Sequence, residues 1–128
     1  MSLNRKDILQ TVQDLPYNKE SFWLVMGSAM VMWGIKDNTG DIDIGCSKEL
    51  FKYLLEQGFS KQMSKSGRWR IDYSSQIHFY LEWSVENLVV IDNIQVADIN
   101  SIVNDKKRFK RFKDIQDLNL IQEYLEGV

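Results

Sequence analysis

Two neighbouring stretches in the second half of the chain alternate apolar and polar residues, and this pattern limits the architecture most. Trp69, Ile71 and Tyr73 alternate with charged residues, and the apolar residues between Ile77 and Trp83 alternate with polar ones. A period of two places apolar side chains on one face of a strand. The pattern therefore predicts two half-buried strands, joined by a hairpin around residues 74–75.

Other segments predict the elements around this hairpin. The continuous apolar run Phe22–Met26 indicates a buried strand, Asp41–Ile44 a strand with one wet face, and Leu88–Ile91 a further strand. Helical spacing and capping residues predict helices over 8–15, 29–35, 47–58, after Asp98, and over 115–125. This order predicts an α+β fold with helices packed against a mixed β-sheet.

Length and composition limit the class of protein. The 128 residues suffice for one domain, assigned to 1–128, and 44% hydrophobic with 27% charged residues argues against disorder. No apolar run is long enough to cross a bilayer, and the first residues contain no signal core, so we expect a cytoplasmic protein without a membrane partner. The single Cys46 excludes an internal disulfide.

The charge is balanced overall but unevenly distributed. Sixteen Lys and Arg against 18 Asp and Glu give a net charge of -2, so nucleic acid is not a favoured partner. Six of the cations lie within residues 106–113. Such a run is usually a solvated helix flank unless a nearby site needs cations.

Gly27 and Ser28 follow the first buried strand and precede a predicted helix. Glycine leaves room for a phosphate to approach the backbone, and the N–H groups of a helix start favour an anion. Ser28 adds a hydroxyl donor. Alone, a Gly-Ser turn before a helix is more often only a cap.

Twelve residues separate Ser28 from Asp41, and Asp43 follows two positions later. Alternation on a strand places both carboxylates on one face, with Ile42 and Ile44 in the core. Two adjacent carboxylates repel each other unless a cation lies between them, and Mg²⁺ prefers carboxylate and phosphate oxygens. A solvated strand edge is the alternative, which the nearby Gly-Ser turn disfavours.

These two motifs in this order resemble the nucleotidyltransferase superfamily, whose members share the catalytic palm of DNA polymerase β. The chain carries the hydrophobic strand, Gly27-Ser28 and Asp41-x-Asp43. Its tail is similar to the Arg-x-Lys-Asp-x-x-Asp segment of the small single-domain branch, with Arg111, Lys113, Asp114 and Asp117. Lys106 or Lys107 matches the lysine that precedes this segment.

The resemblance implies a Mg²⁺-dependent, two-metal transfer of a nucleoside monophosphate from a nucleoside triphosphate such as ATP to an acceptor hydroxyl. Asp41 and Asp43 would hold the metals, and Gly27 and Ser28 the triphosphate. The leaving pyrophosphate would be neutralised by members of the basic run: Lys106, Lys107, Arg111 and Lys113. The acceptor would be a small molecule, a protein or an RNA, and a homodimer is expected to complete its pocket.

The chain departs from the family pattern at one position. The third carboxylate, expected on the later strand, falls on His78. Glu82, roughly 13 Å further along an ideal strand, and Asp72 on the preceding strand are the candidate substitutes. The site is therefore completed by Glu82 or Asp72, adapted to His78 as a base, or silent. A silent member would bind nucleotide or a partner protein, as an antitoxin does.

Overall fold

The computed structural model describes residues 2–127. The helices within that range are α1 (Arg5–Gln13), α2 (Met26–Trp33), α3 (Lys48–Glu56), α4 (Ile99–Phe109) and α5 (Phe112–Glu126), with a 3₁₀ turn at Lys19–Ser21. The strands are β1 (Leu3–Asn4), β2 (Phe22–Val25), β3 (Asn38–Thr39), β4 (Ile42–Cys46), β5 (Lys61–Met63), β6 (Trp69–Asp72), β7 (Ile77–Leu81), β8 (Leu88–Ile91) and β9 (Ile94–Ala97).

Seven of these strands form one mixed sheet in the order β5-β6-β7-β4-β2-β9-β8. The central strand β4 is antiparallel to β2 and parallel to β7. The short strands β1 and β3 form a separate antiparallel pair. The α+β class with a mixed sheet is therefore confirmed.

The two faces of the sheet differ in polarity. Ile42 and Ile44 of β4 are buried together with Leu24 of β2 and Phe79 of β7. Because side chains alternate along a strand, the residues between them lie on the opposite face. The apolar face forms the core, and the other face is free to carry polar groups.

Local signals explain where several helices begin. Asn4 and Asp7 form a capping box at the start of α1, which ends before Pro16. The Ser47 side chain accepts from the Leu50 N–H and caps α3. No helix within the described range has the length and apolar character needed to span a membrane.

The structure corrects several predicted boundaries. Helix α2 begins at Met26 and not at residue 29, so Gly27 and Ser28 lie in its first turn. Strand β7 ends at Leu81, and α5 begins at Phe112 and not at residue 115. Strands β1, β3, β5 and β9 were not predicted. Strands β1 and β3 have only two residues each, and β5 is exposed along its whole length and lacks an apolar pattern.

A buried ion network joins the last two helices. Lys110 turns the chain between them in the left-handed conformation (φ 55°). Lys106 of α4, only 1% exposed, lies 3.3 Å from Asp114 and 2.9 Å from Asp117 of α5. Burial alone would raise the pKa of Asp114, but hydrogen bonds from the Arg111 side chain and backbone lower it. The network fixes the angle at which α5 returns over α4.

Replacing Asp114 with Asn is expected to reduce the free energy of unfolding by about 3 kcal/mol, because Lys106 stays buried with one fewer carboxylate. Since the pKa of Asp114 is lowered in the folded state, its stabilisation is present above about pH 4 and is lost on further acidification. Urea unfolding at pH 7 and at decreasing pH measures both effects.

The exposed pair Arg5–Asp92 provides the matched control. Asp92→Asn removes a surface ion pair and should cost less than about 1 kcal/mol. Equal costs for the two substitutions would contradict a buried network at the α4–α5 joint.

Candidate functional site

A cavity of about 690 Å³ lies over the polar face of the sheet. Its walls are the first turn of α2, the loop that leads to β4, the β5–β6 hairpin and the α4–α5 joint. The residues that line it include Gly27, Lys36, Thr39, Asp41, Asp43, Lys65, Arg70, His78, Tyr80, Lys106, Arg111, Lys113 and Asp117. It therefore brings together most of the side chains that the sequence singled out.

Strand register aligns three polar side chains in one row, two of which line the cavity. Asp43 of β4 is opposite His78 of β7, and His78 is opposite Asp72 of β6. Residues directly opposite each other in a sheet point to the same face. His78 thus occupies the position next to Asp43 on the neighbouring strand.

Both ring nitrogens of His78 face carboxylates. Nδ1 lies 2.6 Å from Asp72 Oδ1, and Nε2 lies 3.8 Å from Asp41 Oδ1. Because a carboxylate only accepts hydrogen bonds, the short contact places a proton on Nδ1. Asp72 also forms an ion pair with Arg70, at 2.9 Å. The imidazole is therefore held in one orientation, with Nε2 towards Asp41.

The two aspartates of the Asp-x-Asp motif differ in environment. The Asp41 side chain is 56% exposed, whereas Asp43 is partly buried. Burial has the largest effect on the pKa of Asp43 and raises it, and the negative charge of Asp41 raises it further. Electrostatic interactions with His78, Lys113 and Lys106 lower the pKa of Asp43. Both carboxylates line the cavity, and an ionised Asp43 is stabilised by any cation placed beside it.

Gly27 and Ser28, which the sequence predicted to hold a phosphate together, lie in different surroundings in the structure. The Ser28 hydroxyl is buried, within hydrogen-bond distance of the carbonyl oxygens of Val25 (2.9 Å) and Asp43 (3.0 Å). It is turned away from the cavity and ties α2 to β2 and β4. Gly27 lines the cavity, and the residue with positive φ at this corner is Met26 (φ 55°).

The basic run is divided by the fold. Arg111 and Lys113 are exposed and line the cavity, while Lys107 is exposed but lies outside the cavity lining. Lys106 reaches the cavity wall with its charge already matched by Asp114 and Asp117. A hydrogen bond to Asp114 raises the pKa of Arg111, which stays cationic.

Glu82 does not approach the aspartates. It follows the end of β7 in the left-handed conformation (φ 49°) and lines a separate depression beside Trp23 and Ser47. Of the two candidate substitutes, only Asp72 lies near His78. Asp72 is not among the residues that line the cavity, and its carboxylate contacts His78 and Arg70.

The polar cavity residues that the sequence did not single out include Lys36, Thr39, Lys65 and Arg70. Lys36 lies in the loop after α2 and Thr39 in the two-residue strand β3, and both segments are too short to show a periodic pattern. Arg70 follows from strand alternation, since it shares a face with Asp72. In all, six Lys or Arg and three Asp are found among the described residues that line the cavity.

Carboxylates are the cavity groups that could hold the Mg²⁺ that the resemblance implies. Within residues 2–127 no group of three or more His, Cys, Asp or Glu side chains is arranged to hold a metal. Asp117, the third aspartate of the cavity, is paired with Lys36 and Lys106. Asp41 and Asp43 are thus the two carboxylates of the described cavity lining without a lysine or arginine ion pair, and they would be the residues to hold a divalent cation, with phosphate or water oxygens needed to complete its ligands.

Comparisons with known proteins leave the family open. No family model matches the chain, and no curated protein matches it. The crystal structure of JHP933 from Helicobacter pylori is a distant structural match, with a TM-score of 0.42 and 16% sequence identity. The match covers 77% of this chain and 51% of JHP933, so the chain spans about half the length of that protein. A similarity this distant carries no functional conclusion.

Asp43→Asn is expected to increase the free energy of unfolding at pH 7 by about 0.5–2 kcal/mol, the usual size of a single stabilising substitution. A raised pKa means that the folded state binds the proton more tightly, so ionisation of Asp43 destabilises the fold above its folded-state pKa. The gain should shrink as the pH falls towards 4. Thermal unfolding without metal or nucleotide measures it.

Asp41→Asn is the matched control, because the exposed Asp41 carboxylate keeps its hydration. We expect the melting temperature of the Asp41→Asn variant to differ little from that of the wild type. A destabilised Asp43→Asn variant would contradict the desolvation of this carboxylate.

Proposed function

We propose that the chain is a nucleotidyltransferase-fold domain that binds a nucleoside triphosphate with Mg²⁺ and transfers the nucleoside monophosphate to an acceptor hydroxyl. One observation carries the proposal: Asp41, Asp43 and Gly27 open into the same cavity as six cationic side chains. A phosphate chain needs cations around it, and a divalent ion needs carboxylates. The cavity supplies both groups within one volume.

The order of elements supports the same proposal. Strand β2 leads into Gly27 at the start of α2, and the chain returns as β4, which pairs with β2 and carries Asp43 opposite Val25. The later strand β7 then lies on the other side of β4. Fold analogy alone would not assign an activity, so the proposal rests on the cavity.

The reaction would form a bond between the acceptor oxygen and the α-phosphorus and break the bond from that phosphorus to the bridging oxygen, releasing pyrophosphate. Mg²⁺, when bound by Asp41 and Asp43, would neutralise phosphate charge and lower the pKa of the attacking hydroxyl. Arg111 and Lys113 would stabilise the departing pyrophosphate. His78 Nε2, oriented by the contact of Nδ1 with Asp72, would accept the hydroxyl proton.

Asp43→Asn and Asp41→Asn should each abolish the Mg²⁺-dependent part of nucleotide binding, reducing affinity at least tenfold, because each removes a carboxylate ligand. Calorimetric titration with ATP, GTP, CTP and UTP, with and without Mg²⁺, measures this effect. In a transfer assay, Asp43→Asn should lower turnover by orders of magnitude.

The control is Asp92→Asn, on the β8–β9 turn and outside the cavity lining. It should bind nucleotide as the wild type does. Nucleotide binding that is indifferent both to Mg²⁺ and to the loss of both aspartates would contradict the proposed function.

A second candidate is a catalytically silent domain that binds nucleotide or a partner protein. The observation that favours it is His78 at the position next to Asp43, with Asp72, on the strand beyond His78, in contact with Nδ1. Histidine is a poor ligand for Mg²⁺ compared with a carboxylate. This arrangement would retain binding while losing the third metal ligand.

For the silent candidate, His78→Asp should lower the Mg²⁺ concentration that half-saturates nucleotide binding about tenfold, because a third carboxylate joins the pair. His78→Asn is the control, because Asn has the size of Asp without its charge. It should give no such decrease in the Mg²⁺ concentration required. The wild type should transfer no label from α-phosphate-labelled nucleotides to components of a cell extract. Transfer that Asp43→Asn abolishes would reject the silent candidate.

A further inference from the structure

Ten of the sixteen lysines and arginines lie in two short segments that contain no acidic residue. Residues 61–70 hold four of these cations, and residues 106–113 hold the other six. All 18 Asp and Glu lie elsewhere in the chain. The net charge of -2 therefore averages two strongly basic segments with an acidic remainder.

The fold brings the two basic segments together along the cavity. Residues 61–70 form the β5–β6 hairpin, residues 106–113 form the α4–α5 joint, and both line the cavity. An aromatic pair connects them. Arg68 Cζ lies 4.1 Å from the centre of the Trp83 ring, which lies 6.2 Å from the centre of the Phe109 ring in α4.

Most of these cations are not neutralised by the protein. Ion pairs with neighbouring aspartates engage four of the ten: Arg70, Lys106, Arg108 and Arg111. The other six have no ion-pair partner in the part of the chain that the structure describes, and all but the half-buried Arg68 are exposed. We call these six the basic rim: Lys61, Lys65, Arg68, Lys107, Lys110 and Lys113.

Arg68 and Arg108 face each other across the boundary between the two segments. Burial lowers the pKa of Arg68, and the charge of Arg108 lowers it further, while Asp105 and Tyr80 raise it. The Asp105 carboxylate is already bound to Arg108, at 2.6 Å. Two guanidinium groups are therefore held within repulsion distance, and a phosphate group near them would relieve this repulsion.

Exposed aromatic side chains interrupt both segments. Phe112, 77% exposed, is the middle residue of the basic stretch 111–113, and Trp69, 38% exposed, is the middle residue of 68–70. Lys61 Nζ lies 4.4 Å from the centre of the Trp69 ring. Aromatic rings placed among cations are typical of surfaces that stack unpaired bases and neutralise the phosphates between them.

We propose that the basic rim, with Phe112 and Trp69, binds a single strand of nucleic acid along the cavity. Rim cations neutralise backbone phosphates, and the two aromatic rings stack on bases. The acidic remainder of the protein repels the strand and confines it to the rim. The inference goes beyond the proposed function, because this binding requires neither Mg²⁺ nor a nucleoside triphosphate.

The first experiment measures fluorescence anisotropy of labelled single-stranded RNA and DNA, and of a duplex of the same length, in EDTA at increasing KCl concentration. The wild type should bind both single strands, with affinity that falls steeply as the salt concentration rises. The duplex should bind at least about fivefold more weakly, because its bases cannot stack on the exposed rings.

Replacing two rim cations tests the phosphate contacts. The double variant Lys65→Gln/Arg68→Gln should bind single strands at least about tenfold more weakly. Its slope of log affinity against log salt should fall by about 1.4, since each phosphate contact on a single strand contributes about 0.7. The charge-matched control is Lys6→Gln/Lys52→Gln, at exposed positions of α1 and α3, which should keep the wild-type affinity and slope.

A second pair of variants tests stacking separately from charge. Phe112→Ala should weaken single-strand binding about tenfold without changing the salt slope, because it removes a ring and no charge. Phe112→Trp keeps an aromatic ring and should retain the wild-type affinity. Urea unfolding of each variant confirms that folded proteins are compared.

Several outcomes would overturn the inference: no single-strand binding at about 50 mM KCl, tighter binding of the duplex, or an equal loss in the control variant. Polyglutamate bound as tightly as the oligonucleotides, with Phe112→Ala without effect, would make the rim a surface for an acidic protein and reject the nucleic acid.

The proposed function can fail independently of this inference. Single-strand binding in EDTA by a protein that binds no nucleoside triphosphate would support the basic rim and reject the proposed function. Mg²⁺-dependent nucleotide binding without any single-strand binding would reject the basic rim and leave the proposed function standing.

Discussion

The buried ammonium of Lys106 is the constraint on which the candidate site depends. A lysine that is 1% exposed is costly unless carboxylates surround it, and here Asp114 and Asp117 of the next helix do so. These contacts can form only when α5 folds back beside α4. That return places Arg111 and Lys113 over the sheet, and Asp117 extends the network to Lys36 on the opposite wall. One buried charge thus connects three parts of the cavity.

The two faces of the sheet beneath the cavity differ in what they contribute: one stabilises the fold and the other carries polar side chains. Its apolar face is filled by side chains such as Ile42 and Ile44, which stabilise the fold by leaving water. The opposite face carries the row Asp43, His78 and Asp72, which gains little from burial. Burial raises the pKa of Asp43, so this carboxylate destabilises the fold at neutral pH. Such a cost is typical of positions retained for binding or catalysis.

The sequence predicted features that depend on strand period and missed those set by tertiary contacts. Alternation over residues 41–44 correctly placed both aspartates on one wall, with the isoleucines in the core. It failed at Glu82, because β7 ends at Leu81 and a left-handed residue turns the chain away. It could not find Lys36, since an isolated lysine in an irregular loop has no local signal. Nor could it show that Lys106 is buried, because a basic run gives no indication of which side chain meets Asp117.

The positions of the charged side chains inside the cavity restrict the ligand more than the net charge of the cavity does. A metal ion arriving alone is attracted by Asp41 and Asp43 but meets six cationic side chains around it. A polyphosphate arriving alone is attracted by those cations but meets the two carboxylates on the floor. A ligand that carries its own divalent cation would satisfy both regions at once, because Asp41 and Asp43 would hold the ion while Arg111 and Lys113 would neutralise the phosphates. Under the proposed function, the cavity would therefore suit a metal-bound polyphosphate better than either component alone, and neither the aspartates nor the cations would create this preference without the other.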